Sequence, residues 1–307
     1  MRVLFMGTPD FAVPSLQALL DRGHEVCGVF TRPDKPKGRG HKLQATPVKE
    51  LALQYGLPVY QPATLRSEEV QAQIVEMQAD AIAVVAYGNI LPRAVLDAPR
   101  LGCVNVHGSL LPEYRGAAPI QRAVLDGRER TGVTTQFMAE AVDAGDILLQ
   151  AETAIGPEET AGELFDRLKI LGADLLVETL ERLEQGQLTR IPQDHERATM
   201  APMLNKAMSQ VDWTQPAQRI HDQIRGLNPW PCVIAELEGR RIKLLASQVL
   251  EQLPGAPGDA VRTEEGLVVV CGQGALLITE LQTDKGKRMN GKDYLLGHPL
   301  HPGAKFA

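Results

Sequence analysis

Residues 101–121 read LGCVNVHGSLLPEYRGAAPIQ, and the opening of this stretch decides the fold. The run CVNVH has the apolar, β-branched character of a buried strand, yet it carries Asn105 and His107 two positions apart. Side chains along a strand alternate between faces, so these two share one face while Val104 and Val106 take the other. Burying an amide or an imidazole without a partner costs about 1–3 kcal/mol, so the strand must either satisfy this pair or use it. Gly108 and Ser109 mark the strand's carboxyl end, where open α/β sheets place their ligands.

Outward from that strand, strand and helix signals alternate as in a parallel sheet. RVLFMG (2–7), EVCGVFT (25–31), LPVYQ (57–61), DAIAVVAYG (80–88) and TGVTTQFM (131–138) read as strands; residues 14–22, 47–55, 67–78, 92–96 and 119–125 read as helices. The expectation is an α/β, Rossmann-like, mostly parallel sheet domain. An amphipathic helix over 160–185 sets Leu164, Leu168, Leu171 and Leu175 on one stripe, which predicts core packing. The first turn, GTPDF, lacks both the G-x-G-x-x-G dinucleotide fingerprint and the G-x-x-x-x-G-K phosphate loop, which argues against NAD and nucleoside triphosphates.

After Gly186 the chain turns polar and is punctuated by Pro192 and Pro202. Residues 190–206 are expected to be a linker between a domain at 1–189 and a second at 207–307. In the second, a helix near 216–225 precedes NPWP and the short strands CVIAELE, IKLLASQVL, GLVVVCG and ALLITELQ, separated by glycine turns. That spacing predicts a smaller antiparallel, OB-like β-barrel. Trp230 of NPWP is expected to be buried against the barrel, with stacking on a nucleobase as the alternative.

A chain of 307 residues, 44% hydrophobic and 23% charged, has the composition of a folded two-domain protein and excludes disorder. Cys27, Cys103, Cys232 and Cys271 are scattered through apolar runs without a C-x-x-C pair, which predicts buried free thiols and neither disulfides nor zinc. The amino-terminal apolar run is too short for a secretory segment or a membrane span, so a cytoplasmic protein with no membrane association is expected. No exposed apolar seam stands out, so a monomer is expected. The net charge of −6 argues against a generally basic nucleic-acid binder, but it is unevenly spread. Residues 1–206 hold 27 acidic and 21 basic side chains, and the remainder 11 of each. Within the acidic part, 31–49 forms a basic island: Arg32, Lys35, Lys37, Arg39, Lys42 and Lys49 against Asp34 alone. Its glycines and prolines forbid a continuous helix, so the charges are presented on a flexible insert suited to a phosphate backbone, or else on an ordinary solvated loop.

Alone, His107 reads most simply as a hydrogen-bonded structural residue. A third polar signal lies in MAEAVDAGDILLQ, where Asp143 and Asp146 either cap a turn or bring a carboxylate to the imidazole and hold its cationic form. Spacing leaves both readings open. The run NVHGSLLPEYRGAAPIQ, with GTPDFAVPSL, VVAYGNILP, the turn at 143–146 and NPWP, resembles the methionyl-tRNA formyltransferases of the folate-dependent formyltransferase family, across essentially the whole chain. N-x-H-x-S-L-L-P-x-x-R-G is specific to folate-dependent formyltransferases as a group; the basic loop, NPWP and the extra carboxyl-terminal domain narrow it to the tRNA enzymes.

The resemblance implies transfer of the formyl group of 10-formyltetrahydrofolate to the α-amino group of initiator Met-tRNA, for translation initiation. It implies Asn105, His107 and Asp143 as the catalytic set, Asn105 donating to the developing oxyanion and His107 moving protons with Asp143 behind it, without a metal. It places the folate against Ser109, Leu110, Leu111 and Pro112 on one side and Ala86, Tyr87 and Gly88 on another, under a loop carrying Val142, Gly145 and Asp146. It gives tRNA binding to Arg32, Lys35, Lys37, Arg39 and Lys42. The chain departs from the family pattern M-D-x-G-L-D-T-G-D in that loop, where Ala141 replaces a glycine and Ala144 a threonine, which puts the loop's conformation in question. Three other activities fit the shared motif: formylation of a sugar-nucleotide or glycinamide ribonucleotide amine, noncatalytic folate or RNA binding, and hydrolysis releasing formate. The intact Asn105, His107 and Asp143 argue against the binding module, and the second domain with its basic loop against the small-substrate enzymes.

Overall fold

The computed structural model describes residues 1–37, 42–284 and 286–307. It forms two units: 1–116, 131–153 and 165–201 build the first, and 117–130, 154–164 and 202–307 the second. The units are not simply successive, because two short segments of the first half pack with the second.

The first unit is a seven-stranded sheet in the order β5-β2-β1-β6-β7-β8-β9. Its strands are β1 (Arg2–Gly7), β2 (Glu25–Phe30), β5 (Val59–Tyr60), β6 (Ala81–Val85), β7 (Cys103–His107), β8 (Arg130–Phe137) and β9 (Ile147–Ala154). From β5 to β7 all pairs are parallel, and β8 runs antiparallel to β7. Past Arg2, the inner strands β1 and β6 are apolar runs because helices cover both faces of a parallel sheet, whereas β9, after two buried residues, alternates half-buried with exposed ones. The crossovers carry α1 (Val13–Asp21), α2 (Pro47–Gln54), α3 (Glu68–Glu76) and α4 (Arg93–Leu96). Helix α2 starts where Pro47 sits at its first turn and the Thr46 hydroxyl accepts from the Lys49 N–H.

Strands β3 (Lys35–Lys37) and β4 (Lys42–Gln44) form a hairpin, Lys35 opposite Gln44. Arg39 and the side chains of Lys37 and Lys42 lie outside the described residues.

Helix α5 (Pro119–Leu125) belongs to the second unit, and α6 (Ala161–Glu184) begins in the second unit and continues along the first. A capping box opens α6: Glu163 N–H donates to the Thr160 hydroxyl and Thr160 N–H to the Glu163 carboxylate. Over β7 the helix comes so close that a Cβ on Gly172 would lie 2.9 Å from Val106 Cγ1. The Val104/Val106 face of β7 is therefore sealed by helix, and Asn105 and His107 point to the opposite side of the sheet.

In the second unit an antiparallel sheet runs in the order β10-β11-β14-β13-β12, with β15 on β14. Its strands are β10 (Val233–Leu237), β11 (Arg240–Leu250), β12 (Ala260–Arg262), β13 (Leu267–Val270), β14 (Ala275–Thr283) and β15 (Arg288–Met289). Irregular register near Ala246 bends the long β11, the usual device for curling a sheet. The last residues bridge both edges of this half-barrel: Ala307 pairs with Glu236 at one, and Phe306 and Ala304 with Gly258 and Ala260 at the other. Helix α7 (Ala217–Gly226) contributes Ile220 and Ile224 to the core, beside Trp213 and Phe306; α8 (Gly291–Gly297) adds Tyr294. The core tryptophan is thus Trp213, whereas Trp230, expected to be buried, is 52% exposed. Two prolines hold it on a tight turn outside the sheet.

The four cysteines are free, and burial pushes the Cys103 thiol up to about 12 and Cys271 up to about 11. Among the described residues no cluster of His, Cys, Asp or Glu is placed to hold a metal, and no helix is long and apolar enough to cross a membrane.

Candidate functional site

The register of β7 on β8 sets Asn105 opposite Gln136 and His107 opposite Thr134. Directly opposed residues share a face, so four polar side chains gather on one side of two adjacent strands. Three have partners within the protein. Thr134 donates to the Ser109 carbonyl at 2.6 Å and accepts from Leu111 N–H at 3.1 Å; Gln136 donates to Asp143 Oδ1 at 3.1 Å. Asn105, half-buried, makes no side-chain hydrogen bond among the described residues.

The buried His107 ring sits between two fixed groups. Its Nε2 lies 2.8 Å from the Tyr114 carbonyl, which can only accept, so Nε2 carries a hydrogen. Its Nδ1 faces Asp143 Oδ1 at 3.6 Å, within ion-pair range but longer than a hydrogen bond. The structure therefore brings all three residues of the expected catalytic set to one place. The Asp143 carboxylate also accepts from Gly116 N–H at 2.8 Å, so backbone as well as Gln136 fixes its orientation. Tyr114 and Asp143 have φ of 58° and 50°, conformations strained for residues with a side chain.

The loop bearing Asp143 is tied down tightly. Phe137 N–H donates to the Asp146 carbonyl at 2.9 Å, and a Cβ on Gly145 would lie 1.8 Å from the Phe137 carbonyl oxygen. Positions 141 and 144, where the chain departs from the family pattern, carry no positive φ; the residue that does is Asp143. Val142 is 62% exposed at the loop's tip, Gly145 is buried and Asp146 half-buried.

Behind the loop lies a layer of Gln136, Gln193 and Arg115; Arg115 is the arginine of the N-x-H-x-S-L-L-P-x-x-R-G motif, and the two glutamines stand outside it. All three are buried. Gln193 donates to the carbonyls of Asp143 (2.8 Å) and Gly145 (2.7 Å) and accepts from the Arg115 guanidinium. It lies in the polar stretch 190–206, whose composition points to a linker, but Ile191 pairs with Ile147 and Met200 with Arg115 in the first unit. Gln136 was detectable as the period-two partner of Thr134 on its strand; Gln193 had no local signal.

Of the expected folate contacts, Ser109 is fully buried, its hydroxyl donating to the Glu113 carbonyl at 2.7 Å. It shapes the turn after β7 and presents no surface. Leu111 is buried, while Leu110 and Pro112 are half-buried on that turn. At the end of β6, Ala86 (φ 47°) and Gly88 (φ 79°) are exposed, and Tyr87 is buried with its carbonyl accepting from Thr8 at 3.0 Å. This is the point where strand order reverses between β1 and β6, the ordinary ligand crevice of such a sheet. Arg32, expected among tRNA contacts, donates to the Gly88 carbonyl at 3.1 Å and to Asn89, so it buttresses this turn. Arg32 and Lys35 also line a cleft of about 390 Å³ with Thr8, Gln44 and Thr46. Asp34 is held below the usual carboxylate range by hydrogen bonds from Lys49 and Gln61, which leaves Lys35 as an exposed cation of the island.

The sequence model of the formyl transferase family matches residues 1–180, and that of the formyl transferase carboxyl-terminal domain matches 203–299. A methionyl-tRNA formyltransferase of Moorella thermoacetica is 50% identical over 307 residues, covering 99% of this chain and 98% of the relative. Another, of Alkaliphilus oremlandii, is 48% identical over 305 residues, covering 99% and 98%. Among solved structures, the sugar 3N-formyl transferase WlaRD matches with a TM-score of 0.69 at 17% identity, over 94% of this chain and 99% of that one. HypX from Aquifex aeolicus, in complex with tetrahydrofolic acid, matches with a TM-score of 0.65 at 18% identity over 96% of this chain, which spans about half (47%) of its length. At these identities the two structures share a fold with this chain and nothing finer.

Proposed function

The chain belongs to the methionyl-tRNA formyltransferases, and from that premise we propose that Asn105, His107 and Asp143 carry the reaction. The enzyme transfers the formyl group of 10-formyltetrahydrofolate to the α-amino group of initiator Met-tRNA. The cosubstrate supplies an electrophilic formyl carbon. The residues fit it: an unpartnered, half-exposed amide at Asn105 lies next to a fixed imidazole, and Ala86 and Gly88 expose backbone at the sheet's crossover point.

The Asn105 amide donates to the formyl oxygen as negative charge gathers there, a kind of contact whose removal costs about 10²–10³ in rate. His107 cannot exchange its Nε2 hydrogen without breaking its bond to Tyr114, so it holds or moves a proton at Nδ1. Asp143 faces that atom and acts through it. The turn at 86–88, Leu110, Leu111 and Pro112, and the loop through Val142, Gly145 and Asp146 hold the folate. Arg32, Lys35, Lys37, Arg39 and Lys42 attract the tRNA phosphates, with the carboxyl-terminal unit as the second tRNA surface. The enzyme acts as a monomer in the cytoplasm, which sedimentation of the purified chain and cell fractionation test.

The observation that carries this reading is the approach of Asp143 to His107 Nδ1 beside the unpartnered Asn105. Purified protein is assayed with 10-formyltetrahydrofolate and either Met-tRNA or small amines, following formyl product and free formate. Formyl-Met-tRNA is the expected product; formate alone, or preference for a small amine, overturns the reading.

A further inference from the structure

We propose that Gln193 is a positioning residue for formyl transfer, clamping the loop that carries Asp143 against His107, with Arg115 locking the orientation of the clamp. The inference rests on the reading of Asp143 as the carboxylate serving His107.

The Gln193 side chain is 7% exposed and all its polar atoms are engaged. Nε2 donates to the carbonyls of Asp143 at 2.8 Å and Gly145 at 2.7 Å, and lies 3.1 Å from Gln136 Oε1. Oε1 accepts from Arg115 Nε at 3.0 Å and Nη2 at 2.6 Å. Carbonyls only accept and a guanidinium only donates, so the amide has a single possible orientation. Arg115 is itself fixed at both ends of its backbone, N–H to the Thr199 carbonyl at 2.8 Å and carbonyl from Ala201 N–H at 2.7 Å. No carboxylate lies within ion-pair reach of its guanidinium among the described residues; its other side-chain partner is His195 Nδ1 at 3.1 Å. The guanidinium thus directs its charge-assisted bonds at Gln193.

Two links run from this clamp to Asp143. One is the direct bond to its backbone; the other passes through Gln136, whose Oε1 faces Gln193 and whose Nε2 donates to Asp143 Oδ1 at 3.1 Å. Asp143 needs such support. Its φ of 50° lies in the left-handed region, which a residue with a Cβ holds only where its surroundings fix it. Because Nδ1 and Oδ1 are 3.6 Å apart, a small drift of the loop moves the carboxylate out of reach of the ring. Misplacement by about 1 Å can cost about 10²-fold in rate.

The test uses full-length Gln193→Glu and Gln193→Asn enzymes with Asp143→Ala beside them. Glutamate keeps the acceptor for Arg115 but offers the two carbonyls no donor; asparagine keeps both functions and is too short to reach across. The expected result in either variant is a kcat lowered about 10- to 100-fold with an unchanged KM for Met-tRNA and a cooperative thermal transition. Single-turnover measurement in the Asp143→Ala background then shows no further loss from Gln193→Asn, because the clamp acts only through the residue already removed. Unchanged kcat in a folded Gln193 variant, or the same fold loss with and without Asp143, overturns the proposal. Wild-type turnover by Asp143→Ala alone instead overturns the catalytic reading on which it rests.

Discussion

The Tyr114 carbonyl takes the Nε2 hydrogen of His107 at 2.8 Å, and that bond decides which nitrogen of the ring meets Asp143. Tyr114 reaches this place because its own N–H is held by the Thr199 hydroxyl at 2.8 Å and its backbone is forced to φ 58°. The imidazole orientation is therefore set by a loop and a distant segment.

Asn105→Ala is expected to lower kcat about 10²–10³-fold while leaving the thermal transition where it was. The amide bonds no described residue, so its removal deletes an interaction present only with substrate. Steady-state kinetics and a melting curve check both halves; a large drop in melting temperature places Asn105 in the fold's own support instead.

In the loop at 138–146, Gly145→Ala and Ala141→Gly are expected to behave oppositely. A Cβ at position 145 would lie 1.8 Å from the Phe137 carbonyl, so the loop must shift, with about 1–3 kcal/mol of destabilisation and loss of most turnover. Position 141 is exposed and without positive φ, so Ala141→Gly with Ala144→Thr leaves kcat and the folate KM within about twofold. Parallel kinetics of the two variants decide the matter.

Lys35→Ala and Arg32→Ala separate tRNA attraction from folate-site architecture. Lys35 is exposed, so its loss is expected to raise the KM for Met-tRNA and flatten the slope of log affinity against log salt by about 0.7–0.9, with folate dependence unchanged. Arg32 also holds the Gly88 carbonyl, so its loss raises the folate KM as well. Replacing Lys35, Lys37, Arg39 and Lys42 together flattens the slope further; an unchanged slope makes the hairpin ordinary surface.

Stability is expected to fall as pH drops from about 8 to about 5, through His24. Burial lowers the affinity of its ring for a proton below the usual 6.5, and its Nε2 has no hydrogen-bond partner among the described residues. Below pH 6.5 the unfolded chain therefore binds the proton more readily than the folded one, and unfolding gains. Asp34 and Asp80, held low by hydrogen bonds, act in the same direction only near and below their usual 3.8. Urea unfolding at both ends of the range is expected to show a lower midpoint in acid, with the difference reduced in His24→Leu.

Features that repeat locally are legible in the order of the residues alone. Period-two alternation placed Asn105 and His107 on one face of β7, apolar runs marked β1 and β6 as inner strands, and the leucine stripe marked α6, because burial on one face imposes a period on neighbouring residues. The motif around His107 identified the family from side chains that must keep their spacing. Tertiary structure decided what depends on contacts between distant parts of the chain. Gln193 meets Gln136 across 57 residues, and nothing in its polar, proline-bounded surroundings encodes that meeting. The same holds for the two tryptophans: Trp213 is buried in the half-barrel core against Phe306, with ring centroids 5.3 Å apart, and Trp230, on its proline-flanked turn, is 52% exposed. Hydrogen bonds and packing of that range are fixed only when the chain has folded, since a side chain's partner is set by the path of the backbone and not by its neighbours in sequence.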